Sequence, residues 1–261
     1  MTRRLCLVTG ASSGIGAAFA RLYAARGCDV AVTARRADRL DALADELRAR
    51  SGVEAIALPA DLADPGAPGR LIEALAERGR SVDVLVNNAG YGLRGDFQAR
   101  AWADQQAFLQ VMVTAVAELS HRALPGMAQR GYGRILNVAS LLGMVPAMPG
   151  NGLYSAAKAF VVKFSEGLHL ETEGTGVHVV AVCPGLTRSE FHDEPALRAA
   201  VAAAPDWAWT SAEAVAEAAY AAAEANRPIM VVGAPNRAAG ALLRLLPETW
   251  GMRIMAAQAR R

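Results

Sequence analysis

Cysteine, histidine and aromatic residues are scarce in this chain of 261 residues. The three cysteines, Cys6, Cys28 and Cys183, lie far apart without CxxC spacing, and the four histidines show no metal-ligand spacing. This argues against a disulfide scaffold and against a zinc site. We therefore expect no metal, and a reducing, cytoplasmic location.

The chain also lacks an excess of either charge and any long apolar run. Its 27 basic residues nearly balance 25 acidic ones, so no surface for nucleic acid is expected. The apolar run at residues 5–8 is too short for a signal peptide, and no stretch is long enough to span a bilayer. With 53% hydrophobic residues, the chain can bury a sizeable core.

Short apolar segments alternate with helical patterns along the whole chain. The predicted strands are residues 5–9, 28–34, 53–59, 82–86, 134–139, 177–183 and 228–232. This alternation predicts βαβ units with right-handed crossovers. The expected fold class is α/β: one domain over residues 1–261, with a doubly wound, Rossmann-like parallel sheet and helices on both faces. Ligands of such sheets bind at the carboxyl ends of the strands.

A glycine-rich turn joins the first strand to the first helix. Gly10, Gly14 and Gly16 are spaced GxxxGxG, which differs from the GxGxxG fingerprint. Glycines let the backbone approach a pyrophosphate, and the helix N-terminus supplies free N–H groups. A glycine-rich turn without a ligand is the alternative, but the strand–turn–helix context favours nucleotide binding.

The end of the second strand indicates which nucleotide binds. It reads Thr33-Ala34-Arg35-Arg36 and lacks the acid that would hold a ribose 2′-OH. Arg35 can instead pair with a 2′-phosphate through a forked, charge-assisted contact. We expect NADP(H) rather than NAD(H); the alternative is that these arginines form only the solvated start of a helix.

Tyr154 and Lys158 are four residues apart, on one face of a predicted helix. A nearby ammonium lowers the pKa of a phenol, which could then exchange a proton with a ketone or an alcohol near neutral pH. Ser140 ends an apolar run and could offer a hydroxyl to the same carbonyl oxygen. A YxxxK pair alone is common on ordinary surface helices, so its weight depends on the other motifs.

Together these motifs resemble the short-chain dehydrogenases/reductases, of the NADP-preferring type. The resemblance extends to about Val232 and rests on residues 9–16, 61–62, 87–90, 140, 154–158 and 184–187. It implies an oxidoreductase that interconverts a ketone and a secondary alcohol. It also implies a homodimer or homotetramer.

The resemblance assigns roles to individual residues. Tyr154 would be the general acid/base and Ser140 would orient the substrate carbonyl. Lys158 would bind the nicotinamide ribose and lower the pKa of Tyr154, and Thr187 would hold the carboxamide. The implied coenzyme site comprises Gly10, Ser12, Ser13, Gly14, Ile15, Gly16, Arg35, Arg36, Asp61, Leu62, Asn88, Ala89, Gly90, Tyr154, Lys158, Pro184, Gly185 and Thr187.

One position departs from the family pattern. Met112 stands where the family carries an Asn that kinks the long helix and holds a water of the proton relay. A thioether cannot hold that water as an amide does. Either the relay runs through another water or Thr114, or the protein is a coenzyme-binding regulator with a weakened site. The intact Ser140, Tyr154 and Lys158 favour the first.

The sequence indicates the substrate less clearly than it indicates the coenzyme. The expected substrate loop, residues 188–210, contains Phe191 and Trp207, and Leu142 and Met148 would add an apolar wall. This favours a hydrophobic carbonyl compound or alcohol, although these side chains could equally pack the loop onto the domain.

The C-terminal segment, residues 238–261, mixes basic and apolar residues. It could cover the substrate cleft, pack on a partner subunit, or lie on a membrane surface. Packing is favoured over the membrane. A membrane-surface reductase of lipid ketones remains the further alternative function.

Overall fold

Seven apolar segments form one parallel sheet in the computed structural model, which describes residues 3–93, 95–192, 201–202 and 204–259. The strand order is β3-β2-β1-β4-β5-β6-β9, and each predicted strand is confirmed as one of its members. A separate two-residue pair, β7 with β8, was not predicted. The strands are β1 (Leu5–Thr9), β2 (Asp29–Thr33), β3 (Ala55–Ala57), β4 (Val82–Asn87), β5 (Gly133–Val138), β6 (Val177–Cys183), β7 (Thr187–Arg188), β8 (Thr210–Ser211) and β9 (Ile229–Val231).

Helices connect the strands and cover both faces of the sheet. They are α1 (Gly14–Ala25), α2 (Ala37–Ser51), α3 (Ala67–Ala76), α4 (Trp102–Leu109), α5 (Ala115–Gln129), α6 (Tyr154–Glu171), α7 (Ala212–Glu224), α8 (Ala234–Leu245) and α9 (Glu248–Ala259). Short 3₁₀ turns occupy Phe97–Ala99, Leu141–Gly143, Glu190–His192 and Asp206–Ala208.

The core has two layers because alternate residues of each strand point to opposite faces. Val8 and Val86 join one cluster with residues of α1, α2 and α7. Leu7 and Leu85 join the other, with residues of α3, α5 and α6. Strands buried on both faces read as continuous apolar runs, which is the pattern of a covered parallel sheet.

The long helix predicted over residues 101–129 is interrupted. A π turn, Gln110–Thr114, separates α4 from α5, and Met112 lies at its centre. π turns bend helices and occur often at functional sites.

The C-terminal segment consists of α8 and α9, which pack beside residues 141–146. A Cβ on Gly240 would lie 3.0 Å from Leu141 Cδ1, and one on Gly251 would lie 2.7 Å from Pro146 Cγ. Both helices keep exposed apolar side chains, among them Leu245 and Trp250. Within the described ranges, no helix combines the length and apolarity needed to cross a bilayer.

Candidate active site

The candidate site lies where the strand order reverses, between β1 and β4. Thr9, the last residue of β1, connects the loop after β1 to the loop after β4 through hydrogen bonds. Its hydroxyl accepts hydrogen bonds from Asn88 N at 2.9 Å and Ala89 N at 3.0 Å, and donates to Val86 O at 3.3 Å. The loops that follow these strands therefore share one edge of the sheet.

The glycine loop is packed backbone to backbone against this edge. A Cβ on Gly16 would lie 2.3 Å from Gly10 O, so only glycine fits there. Asn88 Nδ2 donates to Thr9 O at 2.9 Å and to Gly10 O at 3.3 Å, so this amide connects the start of the glycine loop to the loop after β4.

The start of α1 suits an anion. Its N-cap residue, Ser13, makes no side-chain capping bond, and the dipole of the helix favours negative charge at this end. The loop therefore fits a pyrophosphate by its backbone. Ser189 lies against Gly14, with 2.8 Å between the Ser189 Cβ and a Cβ placed on that glycine. The sequence analysis missed Ser189, since nothing in the motif spacing indicates this contact.

The three arginines after β2 have different surroundings. The Arg36 guanidinium donates to Ser12 Oγ at 2.8 Å, to Ser13 Oγ at 3.1 Å and to Glu190 Oε2 at 2.8 Å. Arg39 Nη1 donates to Glu190 Oε1 at 2.5 Å.

Arg35 is exposed. It counters the burial that raises the pKa of Tyr91, whereas Asp61 adds to it, so both charges lie near this phenol. Asp61 is exposed and accepts a hydrogen bond from Ala63 N at 2.9 Å, while Leu62 is buried in a cluster that Ala89 also contacts.

The three predicted catalytic residues are brought together. Tyr154 is the first residue of α6, Lys158 lies one turn later, and Ser140 follows β5. The Ser140 hydroxyl lies beside the phenol of Tyr154, where it lowers the pKa of that phenol. Ser140 Oγ also accepts from Leu142 N at 3.1 Å, which fixes the serine at the start of its 3₁₀ turn.

Lys158 is buried, and its Nζ donates to Val138 O at 2.7 Å. Its ammonium lies 5.8 Å from the centroid of the Tyr154 ring. Burial lowers the pKa of Lys158 to about 8, and Cys183 acts weakly in the opposite direction.

The expected lowering of the tyrosine pKa is wrong for this arrangement. Burial raises the pKa of Tyr154 to about 12, and the neighbouring Ser140 hydroxyl only partly opposes this rise. Desolvation disfavours the phenolate more than the surrounding groups favour it. At neutral pH the phenol is therefore protonated.

Met112 is buried beside this group. It clusters with Phe108 and Ala157, against which Tyr154 also packs, and a Cβ on Gly90 would lie 2.9 Å from its sulfur. Met112 therefore lies at the centre of a π turn, at the position where the family resemblance expects an Asn. Thr114, the proposed substitute in the relay, is exposed, which does not favour that role.

The remaining motif residues follow β6. Pro184 is buried and its carbonyl accepts from Leu141 N at 2.9 Å. Gly185 lies against Asn236 of α8, whose Nδ2 would be 2.5 Å from a Cβ there. Thr187 is buried, and its hydroxyl donates to Gly185 O at 3.3 Å.

Only part of the predicted substrate wall is placed at the site. The rings of Phe191 and Tyr154 are 5.9 Å apart between centroids, and Leu142 lies two residues after Ser140 and is hydrogen-bonded to it through its backbone N–H. Met148 is half-buried, whereas Trp207 is 72% exposed. Residues 193–200 of the predicted loop lie outside the described residues. In the part of the chain that the structure describes, no group of three His, Cys, Asp or Glu side chains could hold a metal.

Comparison with known proteins decides the family. A family model described as short chain dehydrogenase matches residues 4–197. The chain belongs to the short-chain dehydrogenase family. It is 38% identical over 189 residues to sulfoacetaldehyde reductase 2 of Chromohalobacter salexigens, covering 72% of this chain and 74% of that protein.

Solved structures of the family match nearly the whole chain. A short-chain dehydrogenase from Sphingobium yanoikuyae in complex with NADPH superposes with a TM-score of 0.81 at 32% identity, covering 94% of this chain and 97% of that one. The bulky-bulky ketone specific alcohol dehydrogenase from Comamonas testosteroni gives 0.77 at 28% identity, with coverage of 95% and 96%. These likenesses confirm the doubly wound fold and the family.

Proposed function

We propose that this short-chain dehydrogenase is an NADP(H)-dependent oxidoreductase that interconverts a ketone and a secondary alcohol. The observation that carries the proposal is that the Ser140 hydroxyl lies beside the Tyr154 phenol, one helical turn from the buried Lys158, at the carboxyl end of β5. Hydroxyl groups arranged in this way can both meet one carbonyl oxygen.

The coenzyme and the protein contribute different parts of the reaction. NADP(H) supplies or accepts the hydride, and the protein supplies position and the proton. In reduction, Tyr154 gives its proton to the carbonyl oxygen that Ser140 orients. The phenol of Tyr154 is protonated at neutral pH and so has a proton to give, although its raised pKa makes it a weaker general acid than an ordinary tyrosine. Lys158 binds the nicotinamide ribose.

The coenzyme preference is supported by charge at the end of β2. The Arg36 guanidinium donates to Ser12 of the glycine loop, Arg35 is exposed two residues after β2, and neither the strand end nor the loop offers an acid for the ribose 2′-OH. The relative from Sphingobium yanoikuyae, solved with NADPH, supports the same preference.

A hydrophobic carbonyl compound suits the apolar side chains at the site. Phe191 packs beside Tyr154, and Leu142 is fixed next to Ser140. The relative from Comamonas testosteroni is specific for bulky-bulky ketones, which is consistent with this substrate class. The sulfoacetaldehyde reductase is named for a small charged aldehyde, so such a compound belongs in the substrate panel.

We also propose a homodimer or homotetramer in the cytoplasm. Phe160 of α6 is 39% exposed and stacks on Phe164 at 5.7 Å, which supports an apolar contact with a second copy. All three cysteines are free, which suits a reducing compartment. Sedimentation as a monomer at micromolar concentration would contradict the oligomer.

The deciding experiment measures loss of NADPH absorbance with a panel of hydrophobic ketones and small charged aldehydes. Wild type should turn over at least one of them, and Tyr154→Phe should lower kcat by about 10²–10⁴-fold because the proton donor is lost. NADPH binding should be retained. Tyr132→Phe, which removes a phenol at a distance from the site, is the matched control.

The outcomes separate the candidate functions. Substantial activity in Tyr154→Phe would show that the acid/base assignment is wrong. Tight NADPH binding without turnover of any compound would favour the coenzyme-binding regulator instead. Activity that requires lipid vesicles would favour the membrane-surface reductase.

A further inference from the structure

Glu190 lies between two arginines of the proposed coenzyme site. Its two carboxylate oxygens accept hydrogen bonds from Arg36 at 2.8 Å and Arg39 at 2.5 Å. Glu190 belongs to the turn that follows β7, more than 150 residues from its partners along the chain. The sequence analysis assigned no role to it.

Arg36 links this carboxylate to the glycine loop. The same guanidinium that pairs with Glu190 also donates to Ser12 and Ser13, next to the end of β2. This is the place where a 2′-phosphate would be recognised. Carboxylate and phosphate are alternative partners of one guanidinium, since both present two oxygens to its fork.

Glu190 is charged at neutral pH. Hydrogen bonds from Arg36, and then from Arg39, lower the pKa of its carboxyl group. An anion thus already occupies the guanidinium groups when the 2′-phosphate arrives. NADH carries no such phosphate and leaves these pairs intact.

We propose that Glu190 is an internal competitor of the coenzyme 2′-phosphate and limits the selectivity for NADP(H) over NAD(H). The inference rests on the proposed coenzyme. NADP(H) must displace the carboxylate from Arg36 and Arg39, whereas NAD(H) need not. Because the pairs are partly exposed, the effect is modest and should be seen in binding rather than in folding.

The test is a calorimetric titration of the full chain with two coenzyme fragments. Adenosine 2′,5′-bisphosphate and adenosine 5′-monophosphate differ only in the 2′-phosphate. Glu190→Gln, which keeps the shape and removes the charge, should bind the bisphosphate about three- to tenfold more tightly than wild type does. Its affinity for the monophosphate should stay within about twofold of wild type.

Asp206→Asn is the matched control. Asp206 pairs with Arg188 at 2.8 Å, so this variant removes one carboxylate and one ion pair from the same part of the chain. It should change the affinity for neither nucleotide. Glu190→Ala should reproduce the effect of Glu190→Gln, and thermal melts should show both variants folded.

The titrations distinguish a failure of the proposed competitor from a failure of the proposed coenzyme preference. A wild type that prefers the bisphosphate, together with a Glu190→Gln that binds it no more tightly, would overturn the competitor and leave the proposed coenzyme standing. If wild type and Glu190→Gln both bind the two fragments equally, the coenzyme preference is overturned and the competitor with it. An equal gain for both nucleotides in Glu190→Gln would also overturn the inference.

Discussion

At the scale of single residues, Met112 departs from the family pattern that the other motifs follow. The buried thioether packs in an apolar cluster with Phe108 and Ala157, next to Tyr154. The π turn at this position forms with methionine in place of the amide. The water-binding function of an amide is what the substitution removes.

Met112→Asn should separate the effect of this residue on stability from its effect on catalysis. An amide in this apolar pocket has few partners, so we expect the free energy of unfolding to fall by about 1–3 kcal/mol. The kcat should rise or stay near the wild-type value, because the amide can hold a relay water. Urea denaturation and NADPH turnover measure the two effects.

Met112→Leu is the control for shape, and it should cost less than about 1.5 kcal/mol. If Met112→Asn folds and binds NADPH but has no activity, the relay has been placed at the wrong residue.

The sequence predicted the reactive residues better than their electrostatics. Ser140, Tyr154 and Lys158 follow from motif and spacing, and the structure brings them together. The pKa of Tyr154 could not be predicted in this way, because it depends on burial by distant residues. The same holds for Glu190, whose partners come from another loop.

At the scale of secondary structure elements, the two ends of α6 differ in how closely other parts of the chain approach them. The helix begins at Tyr154 and carries Lys158 one turn later, and the turn at Gly143 approaches its backbone closely. A Cβ on Gly143 would lie 2.6 Å from the carbonyl oxygen of Lys158. Two turns further on, Gly167 has no heavy atom within 4 Å of an added Cβ.

Gly167→Ala should therefore stabilise the protein. Glycine in the middle of a helix costs about 0.5–1 kcal/mol relative to alanine, and nothing obstructs the new methyl group. Urea denaturation should show a gain of about that size, with kcat unchanged.

Gly143→Ala is the contrasting variant, since its methyl group must push the 3₁₀ turn away from α6. It should lower both stability and kcat. A Gly167→Ala protein no more stable than wild type would show that this face of α6 is covered in solution.

The order and type of the elements were predictable, and their interruptions were not. Apolar runs and glycine turns set the seven strands, because buried parallel strands need continuous apolar sequence. The π turn leaves no such pattern, since its residues continue the helical spacing. The β7–β8 pair has only two residues per strand, too few for a recognisable alternation.

At the scale of the whole molecule, the two buried titratable groups of the site affect stability in opposite directions. Burial lowers the pKa of Lys158 to about 8 from its usual value of about 10.4. Between these values the unfolded chain binds more protons than the folded one, so stability rises with pH. Burial raises the pKa of Tyr154 from about 10 to about 12, so its contribution falls over that range.

The lysine effect can be isolated with Lys158→Met. From pH 7 to pH 10, wild type should gain on the order of 1–3 kcal/mol in free energy of unfolding relative to this variant, both without coenzyme. Urea denaturation across the pH series measures the difference. Parallel curves for the two proteins would show that Lys158 is not desolvated in solution.

The position of β1 in the sheet has a consequence for synthesis. Its neighbours are β2, which follows closely, and β4, which ends roughly 80 residues later. At ribosomal rates of about 5–20 residues per second, that stretch takes roughly 4 to 16 s to make. Throughout this interval β1, which β2 and β3 join as they are made, presents an apolar, unpaired strand edge, the kind of surface that chaperones bind, until β4 emerges and covers it.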